Sequence, residues 1–263
     1  MACLVPRYER QLYWLLKQLT PGQYLGPQLT LGLFAAAGCL LIFGGVALEL
    51  LSDGPLVRFD EAIAATLHAQ ATLPLTIFFL IVSALCSSGG VAFVGLLVVV
   101  AYGLRRRWLY AGMWFAAVSI GEILNLLLKE SFARPPPSLR NQFLTPKLEA
   151  YTGNILPGGD MITSYSFPSG HAMESVIMYG MLAYFGALTL QSGRARVAIV
   201  LGGVFLVLLI GFSRMFLGAH YFSDVIGGYA AGGVLLSVSI AGTETIRRRK
   251  TPANRRTHAL RAR

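Results

Sequence analysis

Two histidines and a carboxylate in the second half of the chain have the types and spacing needed for phosphoryl transfer. His220 and Asp224 are four residues apart, which places both side chains on one face of a helix. A carboxylate at that position can accept the Nδ1 proton of the imidazole and leave Nε2 free to attack as a nucleophile. His171, in a separate segment, is then the candidate general acid for the leaving oxygen. The pattern predicts a covalent phosphohistidine intermediate.

Three cations and the predicted start of a helix supply a complementary site for an anion. Lys129, Arg134 and Arg214 would hold a phosphate dianion, because arginine offers bidentate geometry and lysine a point charge. Ser169 and Gly170 stand just before an apolar run, so backbone N–H groups at a helix N-terminus would point at the anion. These polar neighbours are mainly cations, which repel a metal ion. We therefore expect no metal and no other cofactor.

Each of these residues also has a structural interpretation. An isolated histidine near a helix end is more often hydrogen-bonded than catalytic, and an arginine at the membrane interface usually extends its charge to the headgroups. Lys129 alone would be interpreted as a membrane anchor. The convergence of three separated segments favours the functional interpretation, since charge between apolar runs is costly and marks a functional site by default.

The composition places these residues in a membrane protein. The chain has 263 residues, of which 55% are hydrophobic and only 13% are charged, and several apolar runs reach the roughly 20 residues that a helix needs to cross a bilayer.

The net charge of +10 raises the alternative of a nucleic-acid partner. Most of the basic residues, however, lie in short clusters at the ends of apolar runs, which is typical of a topology signal. We expect no nucleic-acid partner.

The apolar runs predict an all-α bundle with about six transmembrane helices. The first part of 69–104 is interrupted by serines and glycines and is expected to be tilted, kinked or interfacial. Residues 49–74 are predicted to be a polar connection, and 130–166 a polar, proline-rich loop. The predicted spans are 29–48, the later part of 69–104, 108–128, 169–190, 197–217 and 221–240.

Three regions follow from this pattern. Residues 1–27 are predicted to be an interfacial segment, with an amphipathic helix over 8–19 that lies on the membrane surface or packs on the rest of the protein. Its charges stand where a signal peptide would need an apolar core, so no cleaved leader is expected. Residues 28–246 form the membrane domain, with a motif core at 129–224. Residues 247–263 are predicted to be a disordered, basic, cytoplasmic tail.

The distribution of lysine and arginine predicts the orientation. Cytoplasmic termini place most of the basic residues on the cytoplasmic face, as the positive-inside rule requires. Both termini are therefore predicted to be cytoplasmic, in the inner (cell) membrane. The candidate site then faces the extracytoplasmic side.

At these motifs the chain resembles the type 2 phosphatidic acid phosphatase and vanadium haloperoxidase superfamily, in its membrane branch of lipid-phosphate phosphatases. Its three motifs are a lysine followed by Arg-Pro, then PSGH, then Ser-Arg, five residues, His, three residues and Asp. The second is Pro168–His171 here, and the third is intact at Ser213, Arg214, His220 and Asp224. The resemblance implies that His220 is the nucleophile oriented by Asp224, and that His171 protonates the leaving group. It implies a phosphate cradle formed by Lys129, Ser169, Gly170 and Arg214, and no metal.

The first motif departs from the family pattern. Six residues usually separate the lysine from Arg-Pro, whereas KESFARPPP has four, and Pro136 stands where the arginine is expected. Arg134 is predicted to reach the phosphate in its place, with Arg140 as the alternative.

The resulting functional prediction is a membrane phosphatase for a lipid phosphate or isoprenoid diphosphate. Phosphatidate, phosphatidylglycerol phosphate and undecaprenyl diphosphate all fit, and no residue chooses among them. The alternatives are a lipid phosphotransferase with another acceptor, a haloperoxidase, which the multiple spans disfavour, and a non-catalytic anion-binding transporter or scaffold. Membrane lipids are the other expected partners, and the oligomeric state stays open.

Overall fold

A computed structural model describes residues 27–139 and 165–261 of the chain, with side chains for 30–139 and 165–247. These residues form eight α-helices and no strand, which confirms the predicted all-α class. The predicted amphipathic helix at 8–19, Arg140 and most of the predicted 130–166 loop lie outside the described residues. The helices are α1 Pro27–Leu51, α2 Pro55–Ala69, α3 Leu73–Ala84, α4 Ser88–Leu104, α5 Trp108–Phe132, α6 Gly170–Thr189, α7 Gly193–Phe216 and α8 Phe222–Arg261.

Five helices of the described chain are long and apolar enough to cross a membrane: α1, α5, α6, α7 and the first part of α8. Helices α3 and α4 pass the same test together but are bent by 48°, which confirms the predicted kink and gives up to six spans. Two residues explain the bend. The Ser87 side chain caps α4 by accepting a hydrogen bond from Gly90 N at 3.2 Å. A Cβ on Gly90 would lie 2.2 Å from the Ala84 carbonyl oxygen, so only glycine allows so close an approach.

The polar regions are more helical than the sequence predicted, and the prediction of a disordered tail was wrong. The expected connection 49–74 contains α2, which begins with Pro55 in its first turn, where proline's missing N–H is harmless. The expected disordered tail continues α8 as a helix to Arg261. Arginine, lysine and alanine are good helix formers, and a segment that extends an existing helix needs no new nucleation.

The core lies around α6. Large side chains from α5, α6 and α7 are fully buried there, among them Trp114, Met178, Phe185 and Ile210. The Trp114 indole donates to the Met178 carbonyl at 3.2 Å, which satisfies its one polar group inside the core. By contrast, α1 and α7 expose most of their apolar side chains, as expected for surfaces that face lipid.

Glycines let α8 approach α6 closely. A Cβ on Gly228 would lie 2.5 Å from the Ser169 carbonyl oxygen, and a Cβ on Gly232 would lie 2.6 Å from the Met173 carbonyl oxygen. Small residues at such contacts bring helix backbones together in membranes. The beginning of α8 is thereby held against the beginning of α6, and the two candidate catalytic segments meet.

Candidate active site

The segment before α6 is tied to two other parts of the bundle. Ser169 is the residue that precedes the first turn of α6, and its N–H donates to the Asp224 carbonyl at 3.0 Å. Asn125 of α5 donates from Nδ2 to the Pro168 carbonyl at 3.4 Å. The Ser169 side chain is fully buried, and its Oγ has no hydrogen-bond partner among the described residues. The N-terminus of α6 and this buried hydroxyl therefore lie side by side.

A tight turn joins the two parts of the third motif. The Arg214 carbonyl accepts hydrogen bonds from Ala219 N at 3.0 Å and His220 N at 3.3 Å. Gly218 in this turn has a φ of 67°, a conformation that favours glycine. The five-residue spacing between Arg214 and His220 thus closes a loop at the end of α7.

The ring of His220 is held by a backbone carbonyl. Its Nδ1 lies 2.9 Å from the Ser166 carbonyl oxygen and 3.7 Å from Oδ2 of Asp224. A carbonyl oxygen only accepts, so Nδ1 carries the proton and Nε2 keeps its lone pair. The predicted Nδ1 bond to Asp224 is therefore replaced by one to Ser166, while the carboxylate stays within ion-pair distance. The Asp224 oxygens also accept from Arg134 at 2.6 Å and from Tyr221 N at 2.8 Å.

Burial and charge together set the protonation of His220. The residue is 8% exposed, and burial lowers the pKa of its imidazole below the ordinary value. Asp224 opposes this shift, whereas Arg214 and Lys129 reinforce it. The pKa of His220 is lowered on balance, so the neutral, nucleophilic form persists at mildly acidic pH.

The other predicted residues lie at the same end of the bundle. Lys129 is buried in the last turn of α5, and Arg214 in the last turn of α7 donates to Ser83 Oγ at 2.7 Å. His171 follows Gly170 at the start of α6 and lies within electrostatic reach of Arg214, Lys129 and His220. The structure therefore brings together two histidines, two cations and a helix N-terminus.

Arg134 has partners that the sequence did not predict. Its guanidinium donates to Asp60 at 2.8 Å, to Asp224 at 2.6 Å and to Ser223 Oγ at 2.7 Å, and it lies 4.3 Å from the centre of the Tyr221 ring. Burial lowers the pKa of Arg134, but the two carboxylates outweigh it and raise the pKa, so the group stays charged. Arg134 is thus engaged by carboxylates, and these contacts favour a role other than the predicted phosphate contact. Arg140 lies outside the described residues.

Comparison with known proteins agrees with this arrangement. The sequence model of the PAP2 superfamily matches residues 108–248, more than half of the chain. The chain belongs to the PAP2 superfamily. The match begins with α5 and covers all three motif segments, including every residue that the sequence assigned to the site.

Curated lipid phosphatases are similar to parts of the chain. Phosphatidylglycerophosphatase B of Bacillus subtilis is 38% identical over 88 residues, which are 33% of this chain and 43% of the relative. Lipid A 1-phosphatase of Rhizobium johnstonii is 32% identical over 132 residues, which are 50% of this chain and 47% of the relative. Lipid A 4'-phosphatase of Rhizobium leguminosarum is 30% identical, over 50% of this chain and 54% of the relative. The chain thus spans about half the length of the curated relatives it matches.

A crystal structure shows the same PAP2 fold over most of the chain. The transmembrane PAP2-type phosphatidylglycerolphosphate phosphatase from Bacillus subtilis superposes with a TM-score of 0.69 at 22% identity, covering 81% of this chain and 98% of that one. The likeness extends beyond the motif region, so the helices before α5 belong to the shared architecture. The chain is a multi-pass membrane member of the superfamily.

Four polar residues at the PAP2 site were missed by sequence reasoning: Asp60, Ser83, Asn125 and Ser223. A signal for Asp60 was present, since Leu56, Asp60, Ile63 and Leu67 fall at helical spacing and place the carboxylate on an apolar face. Asn125 is one turn before Lys129 on the same helical face. Ser83 and Ser223 carry no comparable signal, because isolated serines in apolar helices are common.

Proposed function

We propose that the protein is a membrane phosphatase that hydrolyses a lipid phosphate or isoprenoid diphosphate through a phosphohistidine on His220, at the extracytoplasmic face. The observation that carries the proposal is the hydrogen bond from Nδ1 of His220 to the Ser166 carbonyl at 2.9 Å. It fixes the tautomer in which Nε2 can attack, and Asp224 at 3.7 Å can stabilise the cation that forms.

The first step transfers the phosphoryl group to the enzyme. The Nε2 lone pair of His220 forms the N–P bond as the P–O bond to the lipid breaks, and His171 gives its proton to the departing oxygen. In the second step a water oxygen bonds to phosphorus, the N–P bond breaks, and the electron pair returns to Nε2. His171 accepts the proton of that water, so both histidines end in their starting states.

Phosphate would be held by the groups at the start of α6 and by two cations. Lys129 and Arg214 supply positive charge, and the Ser169 hydroxyl and the Gly170 N–H supply donors. Donors placed where charge develops stabilise the transition state most. Gly170 also has a steric reason to be glycine, because a Cβ there would lie 2.9 Å from Oδ1 of Asn125.

The position of the site and the relatives support a lipid substrate. The two histidines lie at the ends of membrane-spanning helices, so a headgroup can enter while the lipid chains stay in the bilayer. The similar proteins are named for phosphatidylglycerophosphate and lipid A. Of the substrates compatible with the sequence, we place phosphatidylglycerol phosphate first.

Phosphate release from purified protein tests the proposal. The panel comprises phosphatidylglycerol phosphate, phosphatidate, lipid A and undecaprenyl diphosphate in mixed micelles, each with and without a chelator. We expect release from at least one lipid, inhibition by vanadate, no loss with the chelator, and loss of turnover in His220→Ala. Undiminished release by His220→Ala would overturn the mechanism, and lipid-dependent phosphate transfer without free phosphate would show a phosphotransferase instead.

A further inference from the structure

A buried cluster of charged groups lies beside His220, outside the proposed phosphate cradle. The Asp60 and Asp224 carboxylates are fully buried, and the Arg134 side chain between them is 14% exposed. Asp60 belongs to α2, Arg134 follows α5, and Asp224 belongs to α8. The cluster therefore joins three separate elements immediately behind the proposed nucleophile.

Asp60 also binds the start of α8. Its Oδ1 accepts from Ser223 N at 2.9 Å, and its Oδ2 accepts from the Ser223 hydroxyl. The first N–H groups of a helix have no partner within that helix, and a carboxylate satisfies them well. Asp60 thus fixes the turn of α8 that carries Asp224.

The two carboxylates share one guanidinium. One nitrogen of Arg134 pairs with Asp224 at 2.6 Å and the other pairs with Asp60 at 2.8 Å. If Asp60 lost its charge, Arg134 would be left to neutralise Asp224 alone. Asp224 would then be less able to stabilise positive charge on His220, which lies 3.7 Å away.

We propose that Asp60 is a positioning residue for catalysis: through Arg134 and Ser223 it holds the Asp224 carboxylate in place, and by sharing the charge of Arg134 it leaves Asp224 able to stabilise positive charge on His220. Arg134 acts in the same unit instead of in the phosphate cradle. This inference rests on the proposed function, because it assigns the cluster to the phosphohistidine step. Asp60 is expected to affect kcat far more than KM, since it touches neither the substrate nor the cradle.

The test compares four variants of the full chain in detergent: Asp60→Asn, Arg134→Gln, the double variant, and Glu61→Gln as the matched control. Glu61 is an exposed carboxylate on the same helix. For Asp60→Asn we expect roughly 100-fold lower kcat, the cost of a small misplacement at a catalytic group, with KM within about twofold of the wild type. Glu61→Gln should match the wild type in both parameters.

The double variant separates a positioning role from a purely structural one. In Asp60→Asn the whole positive charge of Arg134 acts on Asp224. Removing Arg134 as well removes that charge, so we expect kcat of the double variant to exceed that of Asp60→Asn. Such a rescue is a coupling between the two residues. The inference would be overturned if the fold-decrease in kcat of the double variant equalled the product of the fold-decreases of the two single variants. It would also be overturned if Arg134→Gln mainly raised KM.

A second readout does not depend on turnover. Diethylpyrocarbonate carbethoxylates the neutral imidazole. The extent of His220 carbethoxylation, measured by peptide mass spectrometry at several pH values, therefore reports the pH at which the ring becomes neutral. Among the residues that the structure describes, the titratable and charged groups that face His220 are Asp224 from α8, Arg214 from α7, Lys129 from α5 and His171 from α6.

We expect the midpoint of this reaction to fall in Asp60→Asn and to return toward the wild-type value in the double variant. If the wild type released phosphate from no lipid, the proposed function would fail, and the carbethoxylation midpoints would still decide the role of Asp60. Equal midpoints in all variants would reject it.

Discussion

At the scale of single residues, the protonation of His220 is the property that most directly controls the proposed reaction. Burial and two cations lower the pKa of His220, and the nucleophile must be neutral. A lowered pKa keeps the neutral form populated to lower pH, so the acid limb of kcat/KM should lie below about 6.5, the ordinary histidine value. The measurement is kcat/KM on one lipid phosphate from mildly acidic to mildly basic pH.

Asp224→Asn provides the control for this pH profile. The variant removes the carboxylate that raises the pKa of His220, so the acid limb of its residual activity should move to still lower pH. Ionisation of the substrate contributes equally to both profiles, and the difference between them therefore reports the enzyme. An acid limb that is unchanged in Asp224→Asn would contradict the assignment of that limb to His220.

At the scale of helices, the contact between α6 and α8 aligns the two histidines. A Cβ on Gly228 would lie 2.5 Å from the Ser169 carbonyl oxygen and 2.9 Å from the Ala172 Cβ, whereas a Cβ on Gly202 in α7 would meet nothing within 4 Å. Gly228→Ala should therefore push α8 from α6, destabilise the protein by about 1–3 kcal/mol and lower kcat at least tenfold. Gly202→Ala gains the same helix propensity, about 1 kcal/mol, without the clash.

Thermal unfolding in detergent and the rate of phosphate release check both glycine variants. Gly202→Ala should unfold at or above the wild-type temperature with normal kcat. If Gly228→Ala behaved like Gly202→Ala, close approach of α6 and α8 would not be required for alignment.

The helices also show what a single sequence can and cannot predict. Length and hydropathy located the spans and the kink between α3 and α4, because roughly 20 apolar residues in a row have few other structures available. Helix α2 was missed since its 15 residues are mixed in polarity and too short to span. The motifs located the candidate catalytic side chains, but the partners of Arg134 depend on α2 and could not be predicted without its packing.

At the scale of the whole molecule, the contacts place all the candidate catalytic segments at one end of the bundle. Ser166 N bonds to the Arg134 carbonyl at 2.7 Å, and the Ser166 hydroxyl bonds to the Pro135 carbonyl at 3.0 Å. The chain that follows α5 therefore runs beside the segment that precedes α6. Ser138, just after α5, marks the site end, and Ser192, between α6 and α7, marks the other end.

These two exposed serines give a matched test of orientation. After replacement of the native cysteines by alanine, Ser138→Cys and Ser192→Cys each introduce one thiol with nearly the same volume as the serine. The distribution of lysine and arginine predicts that the site end lies outside the cytoplasm, so a membrane-impermeant maleimide should label Ser138→Cys in intact cells and Ser192→Cys only after permeabilisation. The reverse pattern would place the phosphate site in the cytoplasm, and a lipid phosphate of the inner leaflet would then be the substrate to pursue.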